Sequence, residues 1–291
     1  MNTSTQAHVD HTDLLQQDDH MQDMQHTQMT VTAITQPFPS IVRVKAKLNQ
    51  FNPTAWQRPN LAIRLEVEAG EKRPISRVYT VRSYDAQSNE IEVDFVKHHT
   101  DSPAMRWLNQ AQIGSEISLT GPRPHDLPNY SEADAPQQKQ VLMFADDTAI
   151  PALYSLLQQW PVGQQATVFV ESFEADILSE LPEVDGVKIH LFLQSDDIET
   201  TQPHALIDAA KALVPSQAIT VWAACERQQA RQLRQYFLND YGLEKADMHA
   251  FAYWKKGVSS SEIDEVRLKH YAGLRQQGDG LKEFDDLDMP I

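Results

Sequence analysis

The sequence predicts two folded units in series, an antiparallel β-barrel followed by a doubly wound parallel α/β sheet. Two observations carry this prediction. Between Ile41 and about Arg123, apolar residues alternate with polar ones, as in strands buried on one face. From about Gln140 onward, short continuous apolar runs alternate with helical periodicity, as in a parallel sheet covered on both faces. A chain of 291 residues is long enough for two such cores.

Residues 1–36 are rich in Gln, Asp, His, Met and Thr. They hold too little apolar surface to offset the entropy of ordering, so a disordered polar tail is expected. His8, His11, His20 and His26 sit among Asp10, Asp18, Asp19 and Asp23, but their spacing matches no defined metal site. A solvated extension is therefore favoured over a metal-binding tail, and no metal site is expected.

The barrel is placed at 37–125. "VRVKAKL" sets Val42, Val44, Ala46 and Leu48 against Arg43, Lys45 and Lys47. "LAIRLEVE" and "IEVDFV" repeat the alternation, and "EISLTGP" supplies a shorter strand. Residues 126–139 are polar and proline-bearing and read as a linker. The α/β unit is placed at 140–258, with strands at "VLMFA", "ATVFV", "KIHLFL", "AITVWAA" and "HAFAYW". Helices fall at "PALYSLLQQW", "PHALIDAAKAL" and "RQQARQLRQYFLNDYG", the last ending near Gly242. In 259–291, Ser259 followed by Glu262 has the form of a capping box, so a helix should start there. The acidic end after it is expected to fray.

Net charge is −16, which repels nucleic acid and anionic lipid and makes neither an expected partner. No apolar run reaches the length of about 18 residues that a spanning helix needs. The N-terminus lacks the basic-then-apolar order of a signal peptide, so a cytoplasmic protein, monomeric, is expected. The single cysteine, Cys225, excludes an intramolecular disulfide. HExxH, CxxC, GxSxG and GxxxxGK[ST] are all missing, which removes the usual zinc, redox, esterase and P-loop signatures.

Open α/β sheets bind ligands beyond the carboxyl ends of their strands. "ADDTAIPAL" and "WAACERQQARQLR" are two such turns. In the first, Asp147 or Thr148 either caps the helix or borders a ligand. In the second, Glu226 either complements the helix dipole or faces a ligand, and Cys225 has no adjacent histidine to make it a nucleophile. In the barrel, "SRVYTVR" places Arg77 and Tyr79 on one strand face and Thr80 on the other. An arginine fork suits a phosphate, and a tyrosine ring can lie against a flat heterocycle. "KHHTDSPAMRWL" adds His98, Thr100 and Ser102 before Pro103 opens a helix. Together these describe a site for a planar ring joined to a phosphate. Arg82 has no assigned role.

Six blocks in order, RxYTxR, "SPAMRW", "LTGPR", "ADDTAIPAL", "WAACER" and "YWKKG", resemble the siderophore-interacting proteins. These are FAD-dependent ferric-siderophore reductases of the ferredoxin–NADP reductase superfamily. The resemblance spans about residues 39–258. It implies an FAD-binding barrel and an NAD(P)H-binding α/β domain. Hydride would pass from NADPH or NADH to FAD, and single electrons to siderophore-bound Fe(III), releasing Fe(II). It also implies that Arg77 holds the FAD phosphates, Tyr79 packs on the isoalloxazine and Thr80 bonds near its N5. His98 would line the flavin, and Thr100 to Ser102 would receive the pyrophosphate. Asp147, Thr148, Ala149 and Glu226 would border the nicotinamide. Tyr253 and Trp254 match the aromatic pair near the flavin, and Lys255 and Lys256 would form a basic mouth for the ferric chelate. The chemistry would centre on the flavin, with no catalytic side chain. Two positions depart from the family pattern: Ser102 stands where glycine is common, and Lys255 where arginine is familiar. A general NAD(P)H:flavin reductase or diaphorase, and a non-catalytic siderophore-binding protein, are the rival readings.

Overall fold

The computed structural model describes residues 24–49, 51–71, 73–97, 101–130, 138–195, 204–277, 286–289 and 291. Its first half is a closed six-stranded antiparallel barrel in the order β1-β2-β5-β4-β3-β6. The strands are β1 (Gln25–Phe38), β2 (Ile41–Leu48), β3 (Leu61–Glu68), β4 (Ile75–Asp85), β5 (Glu90–Val96) and β6 (Glu116–Pro124). The alternation predicted β2, β3, β5 and β6: Val44, Ala46, Leu48, Ile63, Leu65, Ile91, Val93 and Leu119 all point into one core. Burying each large aliphatic side chain there contributes on the order of 2 kcal/mol. β6 passes close to β3 at Gly121, where an added Cβ would lie 3.0 Å from Ile63 Cγ2 and 3.2 Å from the Ala62 carbonyl oxygen. Only glycine fits that approach.

Strand β1 corrects the expected polar tail. Gln25–Phe38 pairs with both β2 and β6 and closes the barrel. Thr27, Met29 and Val31 alternate inward and are buried. Composition averaged over the first 36 residues diluted this short run of strand periodicity. His26 lies on this strand, with Nδ1 3.4 Å from Thr120 Oγ1. His8, His11 and His20 fall outside the described residues.

Between β5 and β6, helix α1 (Pro103–Gln110) sends Ala104, Met105 and Leu108 into the barrel core. Trp107 stacks on Phe95, ring centroids 5.4 Å apart.

The second half is a five-stranded parallel sheet in the order β11-β10-β7-β8-β9. Its strands are β7 (Gln140–Ala145), β8 (Ala166–Ser172), β9 (Val187–Leu193), β10 (Ile219–Glu226) and β11 (Met248–Trp254). Helix α2 (Ile150–Gln158) packs on the face carrying Val141, Met143 and Ala145. Helices α3 (Ala205–Ala212) and α4 (Arg227–Gln235) pack on the face carrying Leu142 and Phe144. Burial on both faces is why these strands read as continuous apolar runs.

The described part of the expected linker is packed rather than loose. Tyr130 meets Trp160 edge-on at 5.3 Å, and Asn129 donates to Thr220 and Asp247. Just before it, His125 stacks on Phe251 at 5.3 Å, and burial, aided by Arg123, pushes its pKa down to about 4. Helix α5 (Ser260–Gln277) begins at the predicted capping box. Ser259 N donates to Glu262 Oε2 at 2.8 Å, and Glu262 N donates to Ser259 Oγ at 3.2 Å. The acidic end does not fray where it is described. Leu287 and Met289 are buried, and Arg227 Nη2 donates to the Met289 carbonyl at 3.1 Å. Two apolar side chains dock what the charge pattern alone predicted to be solvated.

Candidate flavin and nucleotide site

Strand β4 carries Arg77, Tyr79 and Thr80, the residues expected to meet a ring and a phosphate. Its residues Ile75 to Val81 pair with β3, but pairing with β5 covers only Val81 to Asp85. The two strands part at the Val81–Val93 pair, so the stretch from Arg77 to Thr80 has one edge free of the barrel ladder. Tyr79 lies at this opening with its ring 4.3 Å from Phe95. Burial raises its phenol pKa, against the lowering influence of Arg77. Arg77 Nη1 donates to Ser76 O at 2.8 Å, and Nη2 donates to Ser261 Oγ of α5 at 2.7 Å. Helix α5 therefore lies across the same strand, and Asp264 reaches to 3.9 Å from Arg64. Ser102 caps α1, its Oγ accepting from Met105 N at 3.3 Å, with Pro103 in the first helical position. His98 and Thr100 lie outside the described residues.

At the carboxyl end of the sheet, the chain order reverses between β7 and β10. Asp146 is the cap of the first turn: its Oδ1 accepts from Thr148 N at 2.9 Å and from the Thr148 hydroxyl. The cap is neither Asp147 nor Thr148 but Asp146 before them, because a 3-10 turn over Asp147–Ala149 precedes the α-helix. Asp146 Oδ2 also accepts from Trp254 Nε1 at 2.7 Å, and desolvation raises its pKa. Asp147 accepts from Phe173 N at 3.3 Å, and desolvation pushes its pKa up to about 6. Ala149 is fully buried and its amide already donates to Asp146 O at 3.0 Å. Glu226 caps α4, accepting from Gln228 N at 2.6 Å and Gln229 N at 3.2 Å. Its other oxygen accepts from Lys256 N at 3.1 Å, which ties the lysine turn to the helix. Lys255 bridges to Val258, and Trp254 stays 41% exposed. Cys225 is wholly buried, and desolvation holds its thiol pKa well above the ordinary range. A neutral, enclosed thiol is no nucleophile.

Three contacts escaped sequence reasoning. Asp146 meets Trp254, Thr80 meets Tyr253, and Arg82 meets Glu180. Each joins residues far apart in the chain, and no spacing rule links them. The Tyr253 hydroxyl is enclosed beside Thr80 and makes no hydrogen bond of ordinary geometry among the described residues. Burial pushes its pKa up to about 12. Glu171, 6% exposed at the end of β8, accepts from Gln229 Nε2 at 2.9 Å through one oxygen, while Oε1 has no hydrogen-bond partner among the described residues.

The donor set fits a flavin nucleotide. Arg77, Tyr79 and Thr80 lie on one strand, and Ser102 caps helix α1, whose Trp107 stacks on Phe95, the ring that Tyr79 also meets. The orphaned Tyr253 hydroxyl beside Thr80 is a buried polar group that the polar edge of a ring would satisfy.

A closed antiparallel barrel joined to a doubly wound sheet is the fold also seen in solved ferredoxin and cytochrome P450 reductases. Residues 41–126 match the family described as siderophore-interacting FAD-binding domain, and residues 138–257 match the family described as siderophore-interacting protein. The chain is 54% identical over 278 residues to the ferric acinetobactin reductase of Acinetobacter baumannii, covering 95% of each. It is 29% identical to the ferric vibriobactin reductase ViuB of Vibrio cholerae, over 72% of this chain and 78% of that one. The solved siderophore-interacting protein from Acinetobacter baumannii superposes with a TM-score of 0.81 at 53% identity, covering 88% of this chain and all of that one. The chain belongs to the siderophore-interacting protein family. No helix among the described residues is long and apolar enough to cross a membrane.

Proposed function

We propose that this protein reduces ferric siderophores with electrons from NADH or NADPH, using FAD held at the β4 opening. The observation that carries the reading is the meeting of Tyr253, at the tip of the sheet, with Thr80 on the barrel strand. One cleft thereby joins the ring-binding strand to the nucleotide-binding end of a parallel sheet. Bound there, FAD would supply what no side chain can, acceptance of a hydride and release of single electrons.

The chain's own residues do the holding and aligning. Arg77 would grip the phosphates, exchanging its bond to Ser261 for a charge-assisted one. Ser102 and the first amides of α1 would receive the pyrophosphate, with His98 and Thr100 leading into that turn. Tyr79 and Trp254 would flank the ring, and the Thr80 and Tyr253 hydroxyls would bond its polar edge. Asp147, Thr148 and Glu226 would border the nicotinamide. The unpaired Glu171 Oε1 is an acceptor where such sheets hold the nucleotide ribose, and it favours a 2′-hydroxyl over a 2′-phosphate. Lys255 and Lys256 would draw an anionic ferric chelate to the mouth of an otherwise acidic protein. These roles fit a cytoplasmic enzyme acting on imported iron.

The purified protein should be yellow and should turn over ferric chelates with either nicotinamide. Steady-state kcat/KM on ferric siderophores, free FAD and quinones tests the assignment. A better kcat/KM on free FAD would make the protein a general flavin reductase instead.

A further inference from the structure

We propose that Arg82 is a positioning residue that locks the sheet domain against the barrel at the angle needed for hydride delivery; the hydride clause rests on the function proposed above. Arg82 lies on β4, two residues past Thr80, and is 3% exposed. Its guanidinium sits 3.7 Å from the centroid of the Tyr154 ring on α2. Nη2 donates to the Glu180 carbonyl at 2.8 Å and to Glu180 Oε2 at 2.9 Å. Arg43 on β2 donates to the same Glu180 oxygen at 2.6 Å and grips Asp94 on β5 through two bonds of 2.7 and 3.0 Å. Asp94 stands 3.6 Å from Arg82 Nη1. The barrel supplies Arg43, Arg82 and Asp94, and the sheet domain supplies Glu180 and Tyr154. Two cations face two carboxylates, so the joint is formally neutral.

Stability alone does not explain this joint. Buried ion pairs roughly break even against apolar packing, because both charges lose their water. Here Arg82 Nε and Nη1 are buried with no hydrogen-bond partner among the described residues, which is a further cost. What charged hydrogen bonds supply, and apolar contacts do not, is direction. An apolar interface tolerates sliding, whereas a guanidinium held by a carboxylate, a carbonyl and a ring face fixes orientation. The joint also bears on the right element. Tyr154 sits on α2, whose N-terminal turn is the Asp147–Ala149 segment bordering the nucleotide site. Its neighbour Ser155 accepts from the amide of Asn60, a fully buried barrel residue with φ of 56°. Two adjacent α2 residues are thus pinned to the barrel, and rotation at this joint would carry the nicotinamide turn away from the β4 opening.

The test is Arg82→Met in the full FAD-loaded chain. FAD affinity should stay within about twofold, and so should reoxidation by a ferric chelate after reduction with dithionite, since neither needs the domain angle. Reduction of the bound flavin by NADH or NADPH in stopped flow should slow by tenfold or more. Nitroxide labels at Ile113→Cys and Val214→Cys, exposed sites on the barrel and the sheet domain, report the angle directly. Cys225 is buried and takes no label. Their distance distribution should be narrow in the parent and broad or shifted with Arg82→Met. If the variant misfolds, Glu180→Gln removes the shared carboxylate and is read in the same way. Unchanged distances and an unchanged hydride rate would overturn the proposal. A parent protein that neither nicotinamide reduces would sink the functional reading, and the distance distribution would still decide the clamp.

Discussion

The barrel and the sheet present opposite chemistry at the cleft they share. On the barrel side, arginines gather around β3: Arg64 has Arg73 and Arg123 for neighbours, and Arg267 of α5 adds to them. Desolvation lowers the Arg64 pKa, and repulsion from those neighbours adds to it. On the sheet side, carboxylates gather at strand ends. Asp146, Asp147 and Glu171 all have raised pKa values, with desolvation the leading cause. The backbone explains the difference. A parallel sheet feeds helix N-termini at its carboxyl edge, and their free amides recruit capping carboxylates. The barrel carries one such N-terminus, that of α1, capped by a neutral serine rather than a carboxylate, and its strands carry the cations. Charge at each half of the cleft thus follows from the local fold rather than from the chain's net charge.

The largest way to separate the two halves is to break one core. Phe144 is fully buried, stacks on Phe169 at 5.2 Å and touches Phe237. Phe144→Ala should cost about 3–5 kcal/mol in the sheet domain. Urea unfolding should then show the sheet melting before the barrel, and a single unshifted transition would deny this independence.

Next is Arg77→Ala, which strikes only the barrel half. Losing a charge-assisted phosphate contact should weaken FAD binding by about 3 kcal/mol, roughly a hundredfold in Kd, with the circular dichroism spectrum unchanged. Unaltered FAD affinity would remove Arg77 from the phosphate role.

The sheet half is sharpened by pH. The Asp147 carboxyl titrates at about 6 in the fold, against an unfolded value of 3.8. The folded state therefore holds this proton more tightly between those values. The stability this contributes is complete below about pH 4 and is lost as pH rises through about 6. Asp147→Asn, which never ionises, should gain on the parent by on the order of 1 kcal/mol between pH 4 and pH 7. Thermal unfolding across that range measures it, and parallel curves would contradict the desolvated carboxyl.

The smallest effect lies where the halves meet. Tyr253→Phe removes a buried, unpaired hydroxyl, so the flavin-free protein should gain about 1 kcal/mol while FAD affinity falls by a similar amount. Opposite signs in the two assays are the signature. A loss in both would mean that the hydroxyl already has a partner in the flavin-free fold.

Much of this molecule was legible in the chain. Alternation at "VRVKAKL" and "LAIRLEVE" specified barrel strands, and continuous runs such as "VLMFA" specified buried parallel ones, because side-chain periodicity follows directly from which faces are covered. Ser259 and Glu262 announced the start of α5, since a capping box is local in sequence. Strand β1 was the miss: a few inward residues sat at the end of a long polar stretch, and their value appears only when β6 arrives to pair with them.

The sequence by itself determined the two sheets, their order, and the residue types that could hold a ring, a phosphate and a nucleotide. Only the tertiary structure decided which of those residues meet. Asp146 reaches Trp254, Thr80 reaches Tyr253, and Arg82, already beside Asp94 within the barrel, joins Glu180 and Tyr154 across the domain boundary. Local rules act over a few residues, whereas Asp146 and Trp254 are 108 residues apart and Arg82 and Glu180 98 apart, and such contacts exist only once strands assemble into sheets and the two domains dock. The second arginine of "SRVYTVR" is the sharpest case. Its charge was visible in the chain, but its partners were set by how the two domains dock.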